Sequence, residues 1–305
     1  MRNNPFLSYS EYLKNKYGEK VYRISIDAGF GCPNRPEGRT GTGCTYCDES
    51  GSRAPYLGEA DSPENQVRRA VPFIRKRYGA KCFSLYFQAF SGTNAPVEKL
   101  KKIYDASLKL HPFKELIVST RPDCVSKEKI DLLVSYKERG LDVWVELGLQ
   151  SAWDATLKRI RRGHDVKTFS RAFEMVSRAG LNTAIHLIFG LPGEGWSHIE
   201  KTIQFAADLK PNGIKIHNLN IPVGTPLFNE YLSGEITVPH FKRFANWVIQ
   251  SLRMLPPDTV IMRLTCDTLP EKRAAPRYFP DKNNFYRYVI EMMKKQDYRQ
   301  GDYYQ

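Results

Sequence analysis

Short runs rich in β-branched and aromatic residues alternate with amphipathic stretches along most of this chain. That alternation constrains the fold more than any other feature. It predicts strands at Val21–Ala28, Cys82–Ala89, Glu115–Thr120, Val143–Leu149, Thr183–Phe189 and Gly213–Leu219. Strands joined by a helix run parallel, because the crossover returns the chain to the same end of the sheet. Six such units predict an α/β fold, an incomplete (β/α)6 barrel, with functional groups at the carboxyl ends of the strands. The intervening helices carry their own punctuation. Ser62-Pro63 opens one whose inner face is Val67, Ala70, Val71, Ile74 and Tyr78, with a bend at Pro72. Ser126 caps a second, bearing Ile130, Leu133 and Tyr136 and stopped by Gly140. A third places Phe169, Ala172, Phe173, Val176 and Ala179 on one face before Gly180. From about Glu235 the pattern turns mostly helical and irregular. The predicted partition is an N-terminal extension (1–20), a barrel (21–234) and a C-terminal extension (235–305).

At 41% hydrophobic and 26% charged over 305 residues, the chain can bury a sizeable core. Its net charge of +13 favours a polyanionic partner. No apolar run approaches the ~20 residues of a membrane span, and the first residues are polar and charged, unlike a signal peptide. Six cysteines in such a chain fit a reducing cytoplasm and a metal site better than a disulfide framework.

Three of those cysteines lie on one glycine-rich loop directly after the first strand. Cys32, Cys44 and Cys47 are spaced C-x11-C-x2-C. The close pair can chelate one metal centre, and the glycines let backbone wrap sulfur ligands. Two readings stand. A structural zinc needs a fourth ligand, for which His164 or Cys124 is a candidate. An iron–sulfur cluster would instead keep one iron open for a substrate or cofactor. Cys82 and Cys124 read as packing residues. Cys266, after the strand-like run Val260–Leu264 and beside Asp267, is a candidate for the active site.

The segment Asp27-Ala-Gly-Phe-Gly-Cys-Pro-Asn-Arg35 and the pair Cys44-Thr-Tyr-Cys47 resemble the radical S-adenosylmethionine (SAM) proteins of the YhcC/YtqA type. So do Tyr86-Phe-Gln-Ala-Phe90, Ser119-Thr-Arg-Pro-Asp123, Glu146-Leu-Gly-Leu-Gln-Ser151, Arg162-Gly-His164, His186-Leu-Ile-Phe-Gly-Leu-Pro-Gly-Glu194 and Gly213-Ile-Lys-Ile-His217. The likeness runs from about residue 8 to the C-terminus. Several motifs are also similar to the radical SAM domain of the Elongator catalytic subunit, a tRNA wobble-uridine modifier, without its acetyltransferase-like domain.

The resemblance implies a partial (β/α)6 TIM-like barrel of the radical SAM type and a 4Fe–4S cluster on Cys32, Cys44 and Cys47. It further implies SAM bound at the unique iron, and a one-electron donor such as a flavodoxin or ferredoxin. One electron then yields methionine and a 5′-deoxyadenosyl radical, which abstracts hydrogen from an unreactive C–H bond. By the same resemblance, the backbone at Tyr46 contacts adenine, Gln150 a ribose hydroxyl, and Arg162 the SAM carboxylate. The usual Gly-Gly-Glu after the second strand is replaced by Gln88-Ala-Phe-Ser91, and Ser119 stands where related domains often have glutamate. The SAM amino group is left to Gln88, Ser91, Ser119 or Glu146. Glu146 is alternatively a structural carboxylate paired with Arg121.

Substrate-side candidates are His186, Lys215, His217 and Cys266, near strand ends or, for Cys266, beyond one. The stretch from Asn65 to Val97 has six Lys or Arg and no acid. Further on, Lys272, Arg273, Arg277, Lys282 and Arg287 interleave with Tyr278, Phe279, Phe285 and Tyr286. Cations neutralise phosphates and aromatics stack on bases. With the Elongator likeness this points to tRNA, and the YtqA-type likeness to trimming a carboxymethylaminomethyl uridine toward aminomethyl.

Overall fold

A computed structural model describes residues 4–54, 57, 61–266, 268 and 270–304. In chain order the elements are α1 (Tyr9–Tyr17), β1 (Val21–Ile26), α2 (Pro63–Tyr78), β2 (Cys82–Phe87), α3 (Val97–Leu108), β3 (Glu115–Thr120), α4 (Lys127–Glu138) and β4 (Asp142–Gln150). There follow α5 (Asp154–Arg159), α6 (Val166–Arg178), β5 (Asn182–Phe189), α7 (Trp196–Asp208), β6 (Gly213–Asn218), β7 (Ile221–Pro222) and α8 (Pro226–Leu232). The chain closes with α9 (Phe241–Met254), β8 (Val260–Arg263), β9 (Arg273–Ala275) and α10 (Lys282–Lys295).

All six predicted strands form, parallel and in sequence order, as a curled half-barrel. A seventh, β8, is supplied from beyond Glu235 and pairs parallel with β6. The small β7–β9 ladder lies outside this sheet. Strand side chains alternate between the two faces. Outward positions such as Phe83, Leu85, Val118, Val145, Leu147, Leu187 and Ile216 are fully buried under the helices in the main core. The inward positions differ by height. Trp144, Ile117 and Met262 fill the amino-terminal end, where Tyr9 and Tyr12 of α1 pack edge-on to Trp144. One layer higher the inward side chains are polar: Tyr86, Glu146, His186 and Lys215.

Most helix signals act as expected, but the Ser126 hydroxyl donates to Glu128 at 2.7 Å and makes no cap hydrogen bond to α4. The Ser62 hydroxyl accepts from the Asn65 amide, and Phe169, Ala172, Phe173 and Val176 are buried. Tyr78 departs from its predicted inward place. It is 52% exposed and stacks on Tyr22, because the helix ends there and its last turn has left the sheet.

The C-terminal aromatics also depart from expectation. Phe285 is fully buried, with its ring 5.3 Å from both Phe244 and Phe279. The Tyr286 hydroxyl accepts from the Leu264 amide at 2.8 Å. These three rings hold α10 to the barrel. Tyr278 alone of the four projects outward, at 88% exposure. Phe285→Ala should therefore cost about 3–5 kcal/mol in urea unfolding, and Tyr278→Ala under about 0.5 kcal/mol. Equal, small losses would mean that α10 is not part of the core.

Candidate functional site

The cysteine loop leaves β1 and folds back over the carboxyl end of the sheet. Its base is fastened at Asp27, whose carboxylate pairs with Arg39 at 2.6 Å and Arg53 at 3.2 Å. The Gln66 side chain bridges both backbone groups of Asp27. The loop crosses itself at Gly31, where an added Cβ would lie 2.8 Å from the Gly38 carbonyl oxygen, so only glycine fits. Arg35, 5% exposed, donates to the carbonyls of Arg39, Gly41 and Asp48 and to Cys47 Sγ at 3.2 Å. Asn34 Nδ2 donates to Cys44 Sγ at 3.3 Å and to the Arg161 carbonyl at 2.7 Å, tying the loop to the segment after α5. Two of the three sulfurs thus already receive N–H donors, the kind of contact that surrounds iron–sulfur clusters.

Facing the loop is the end of β4. A register shift between Gly148 and Gln150, with Gln150 at φ 76°, turns Gln150 into the cavity. Arg162 is 7% exposed and donates from Nη2 to the Gly148 carbonyl at 2.9 Å. A Cβ on Gly148 would stand 2.5 Å from that nitrogen and 2.7 Å from Gln150 Nε2, so the glycine makes their convergence possible. Arg162 Nη1 lies 3.7 Å from Cys44 Sγ, and its buried Nε has no hydrogen-bond partner among the described residues. Burial alone would push the Cys44 thiol up, but Arg162 and Arg121 outweigh it and hold the thiol below the ordinary value. Cys47 is pushed up to about 11, first by burial and then by Cys44.

Beneath them Glu146 is fully buried. It forms an ion pair with Lys215, accepts from Tyr86 Oη at 2.6 Å and meets His186 Nε2 at 3.0 Å. Burial opposes its charge, but Lys215, His186 and Arg23 together hold the carboxyl well below its usual range. The alternative pairing with Arg121 does not occur. Arg121 instead binds Asp123 at 2.7 Å and the Arg162 carbonyl at 2.8 Å.

Loop, β4 end and this floor enclose a cavity of 490 Å3. Twelve of the fourteen sequence candidates line it: Cys32, Cys44, Cys47, Tyr46, Gln88, Ser119, Gln150, Arg162, His186, Lys215, His217 and Cys266. Cys266 sits against Asn218, its Sγ 3.4 Å from that residue's carbonyl oxygen, while Asp267 lies outside the described residues. Two candidates are corrected. Ser91 is fully buried away from the cavity. Its hydroxyl meets Thr120 Oγ1 and accepts from the Arg121 amide, because the turn after β2 points it behind the wall. Glu146 lies under the floor and reaches the cavity only through Tyr86, His186 and Lys215. Tyr86 and Arg263 were missed. Tyr86 could have been found from period-two alternation, since it precedes Gln88 by two on the same face.

The fourth zinc ligands proposed from sequence do not converge on the loop. His164 Nε2 contacts the Gly148 carbonyl at 3.2 Å and Cys124 is packed at 5% exposure; neither lines the cavity. Among the described residues no three His, Cys, Asp or Glu side chains are grouped to hold a single ion. A cluster makes a different demand, since its thiolates bind separate irons.

Residues 28–206 match the radical SAM superfamily and residues 211–295 the radical SAM C-terminal domain. The chain belongs to the radical SAM superfamily. As a radical SAM enzyme it works with a 4Fe–4S cluster and SAM. It is 34% identical to MJ0486 of Methanocaldococcus jannaschii over 97% of this chain and 91% of that one. It is 35% identical to YhcC of Escherichia coli, over 87% and 84%. Part of it, 54%, is 30% identical to 30% of a tRNA uridine(34) acetyltransferase from Methanocaldococcus infernus. The fold matches Methanocaldococcus infernus Elp3 with TM-score 0.70 at 19% identity, covering 92% of this chain and 64% of that one. No helix among the described residues is long and apolar enough to cross a membrane.

Burial draws His186 down to about 4, against the pull of Glu146, so this radical SAM enzyme should carry a neutral imidazole there from pH 5 to 8. Because its folded value lies below the unfolded ~6.5, its contribution to stability is present above pH 6.5 and lost as pH falls toward 4. Nitrogen-15 NMR of histidine-labelled protein would read this directly; titration near 6.5 would contradict the burial argument.

Proposed function

We propose that this radical SAM enzyme modifies the C5 substituent of a uridine in tRNA, shortening carboxymethylaminomethyl toward aminomethyl. The observation that carries the reading is the charge of the cavity. Among the described residues seven Lys or Arg line it against one carboxylate, Asp48. Such a lining selects an anionic substrate and repels cationic ones. The net charge of +13 and the partial likeness to a tRNA uridine(34) acetyltransferase support RNA as its source. Lys272 stands at the cavity, and the exposed Arg277 and Tyr278 follow it in sequence, offering phosphate and stacking contacts near the entrance.

In this reading Cys32, Cys44 and Cys47 would hold the cluster, which would supply the electron that generates the hydrogen-abstracting radical from SAM. Arg162 takes the SAM carboxylate, Gln150 a ribose hydroxyl, the Tyr46 backbone the adenine, and Gln88 and Ser119 the amino group. His186, Lys215, His217 and Cys266 face the substrate, with Glu146 fixing Lys215 and His186. An external one-electron donor of the flavodoxin or ferredoxin type serves the cluster.

Arg162→Ala should weaken SAM binding by about 2–5 kcal/mol, the cost of breaking a desolvated charge pair, while iron content is retained. An unchanged SAM dissociation constant would remove Arg162 from that role. For the substrate, tRNA from a strain lacking the gene should bind with a steep salt dependence. Replacing Arg273, Arg277 and Arg287 with Gln should flatten the slope by about 0.9 per lost phosphate contact. Superimposable curves would exclude these arginines as the contact surface. Equal affinity for a plain duplex of the same length would sink the tRNA reading.

A further inference from the structure

We infer that Arg263, with the His217 imidazole beside it, forms a subsite on the β6–β8 wall that binds an anionic group of the substrate, a carboxylate or a phosphate. Register pairs Lys215 with Arg263 across β6 and β8, and His217 follows two residues along the same inward face. Both line the cavity, across from the cysteine loop. The cations of this wall differ in what they already hold. Lys215 is committed to Glu146 and Tyr86. Arg23, deeper in the barrel, is placed over the Tyr9 and Tyr86 rings. The Arg263 side chain makes no hydrogen bond, ion pair or ring contact among the described residues, although it is only partly exposed. His217 Nε2 is buried and has no hydrogen-bond partner among them. Among the described residues the carboxylate beside this wall is Glu146, and it is shared by Lys215, His186 and Tyr86.

A planar guanidinium with free N–H groups and a neighbouring unsatisfied imidazole nitrogen together match an oxyanion. An apolar ligand would leave both groups unmet, and a cationic one would set like charge against Arg263. Arg162, beside Cys44, is the separate cation for an anion at the cluster. The inference rests on the proposed function only for which molecule brings the anion.

The test uses anaerobically reconstituted, SAM-loaded enzyme. Sodium acetate and inorganic phosphate are titrated at constant ionic strength and followed by calorimetry. Wild type should bind at least one of them. R263Q should bind about 10- to 100-fold more weakly, as for loss of hydrogen bonds to a charged group. R263K, which keeps the charge and loses the fork, should fall between, and it decides the matter if R263Q does not fold. Competition identifies the source. Displacement of acetate by 5-carboxymethylaminomethyluridine assigns the anion to the base substituent, and displacement of phosphate by uridine monophosphate assigns it to the backbone. If neither nucleoside competes while anion binding still depends on Arg263, the subsite stands and the tRNA reading falls. Equal anion affinity in wild type, R263Q and R263K, or no anion binding by wild type, overturns the subsite.

Discussion

A single buried carboxylate organises the barrel. Glu146 has no contact with water, so its charge is tolerable only if partners reach it from several directions. They come from β2, β5 and β6: Tyr86, His186 and Lys215. β2 and β6 are four strands apart, roughly 19 Å in a flat sheet. Yet Lys215 Nζ donates to Tyr86 Oη at 3.2 Å. The sheet must curl to let that happen, and the curl makes a cavity of its carboxyl end. Such a pair is weak evidence for stability, since desolvation offsets much of the attraction. Its physical effect here is to permit one curvature.

The same layer divides the barrel by chemistry. Below it Trp144, Ile117 and Met262 pack with the tyrosines of α1, and the buried Glu115 accepts from Tyr9 Oη at 2.6 Å. Above it the inward side chains are polar and the cysteine loop forms the roof. The outward face carries most of the hydrocarbon of the main core, and the cavity begins where Tyr86, His186 and Lys215 point inward.

The roof is joined to the barrel through polar groups. Asn34 reaches the Arg161 carbonyl, Arg162 reaches back to Gly148 beside Cys44, and Arg121 holds the Arg162 carbonyl. Phe30 and Tyr46 anchor the loop to two apolar clusters, and hydrogen bonds set the position of the polar remainder. Arg35 fills its interior by donating to three carbonyls and a sulfur, which a lysine could not match.

Periodicity determined the strands, their parallel order and the inward alternation, because those depend on local pattern and on crossover length. Spacing singled out the cysteine loop, since three thiols close together in sequence cannot lie far apart in space. What lay beyond the sequence was contact between distant segments. Phe279, Phe285 and Tyr286 look like stacking residues beside arginines, and only packing against Phe244 and Leu264 shows them to be core. Ser91 shares its motif with Gln88, and only the path of the turn sends one hydroxyl behind the wall and the other side chain into the cavity. The sequence leaves Glu146 open between a SAM ligand and a carboxylate paired with Arg121, because ion pairing depends on where a curled sheet brings two strands, and curvature is not written in any local window. Arg263 is one basic residue among many in the sequence. The tertiary structure distinguishes it, because a cation's role depends on whether a carboxylate lies within reach.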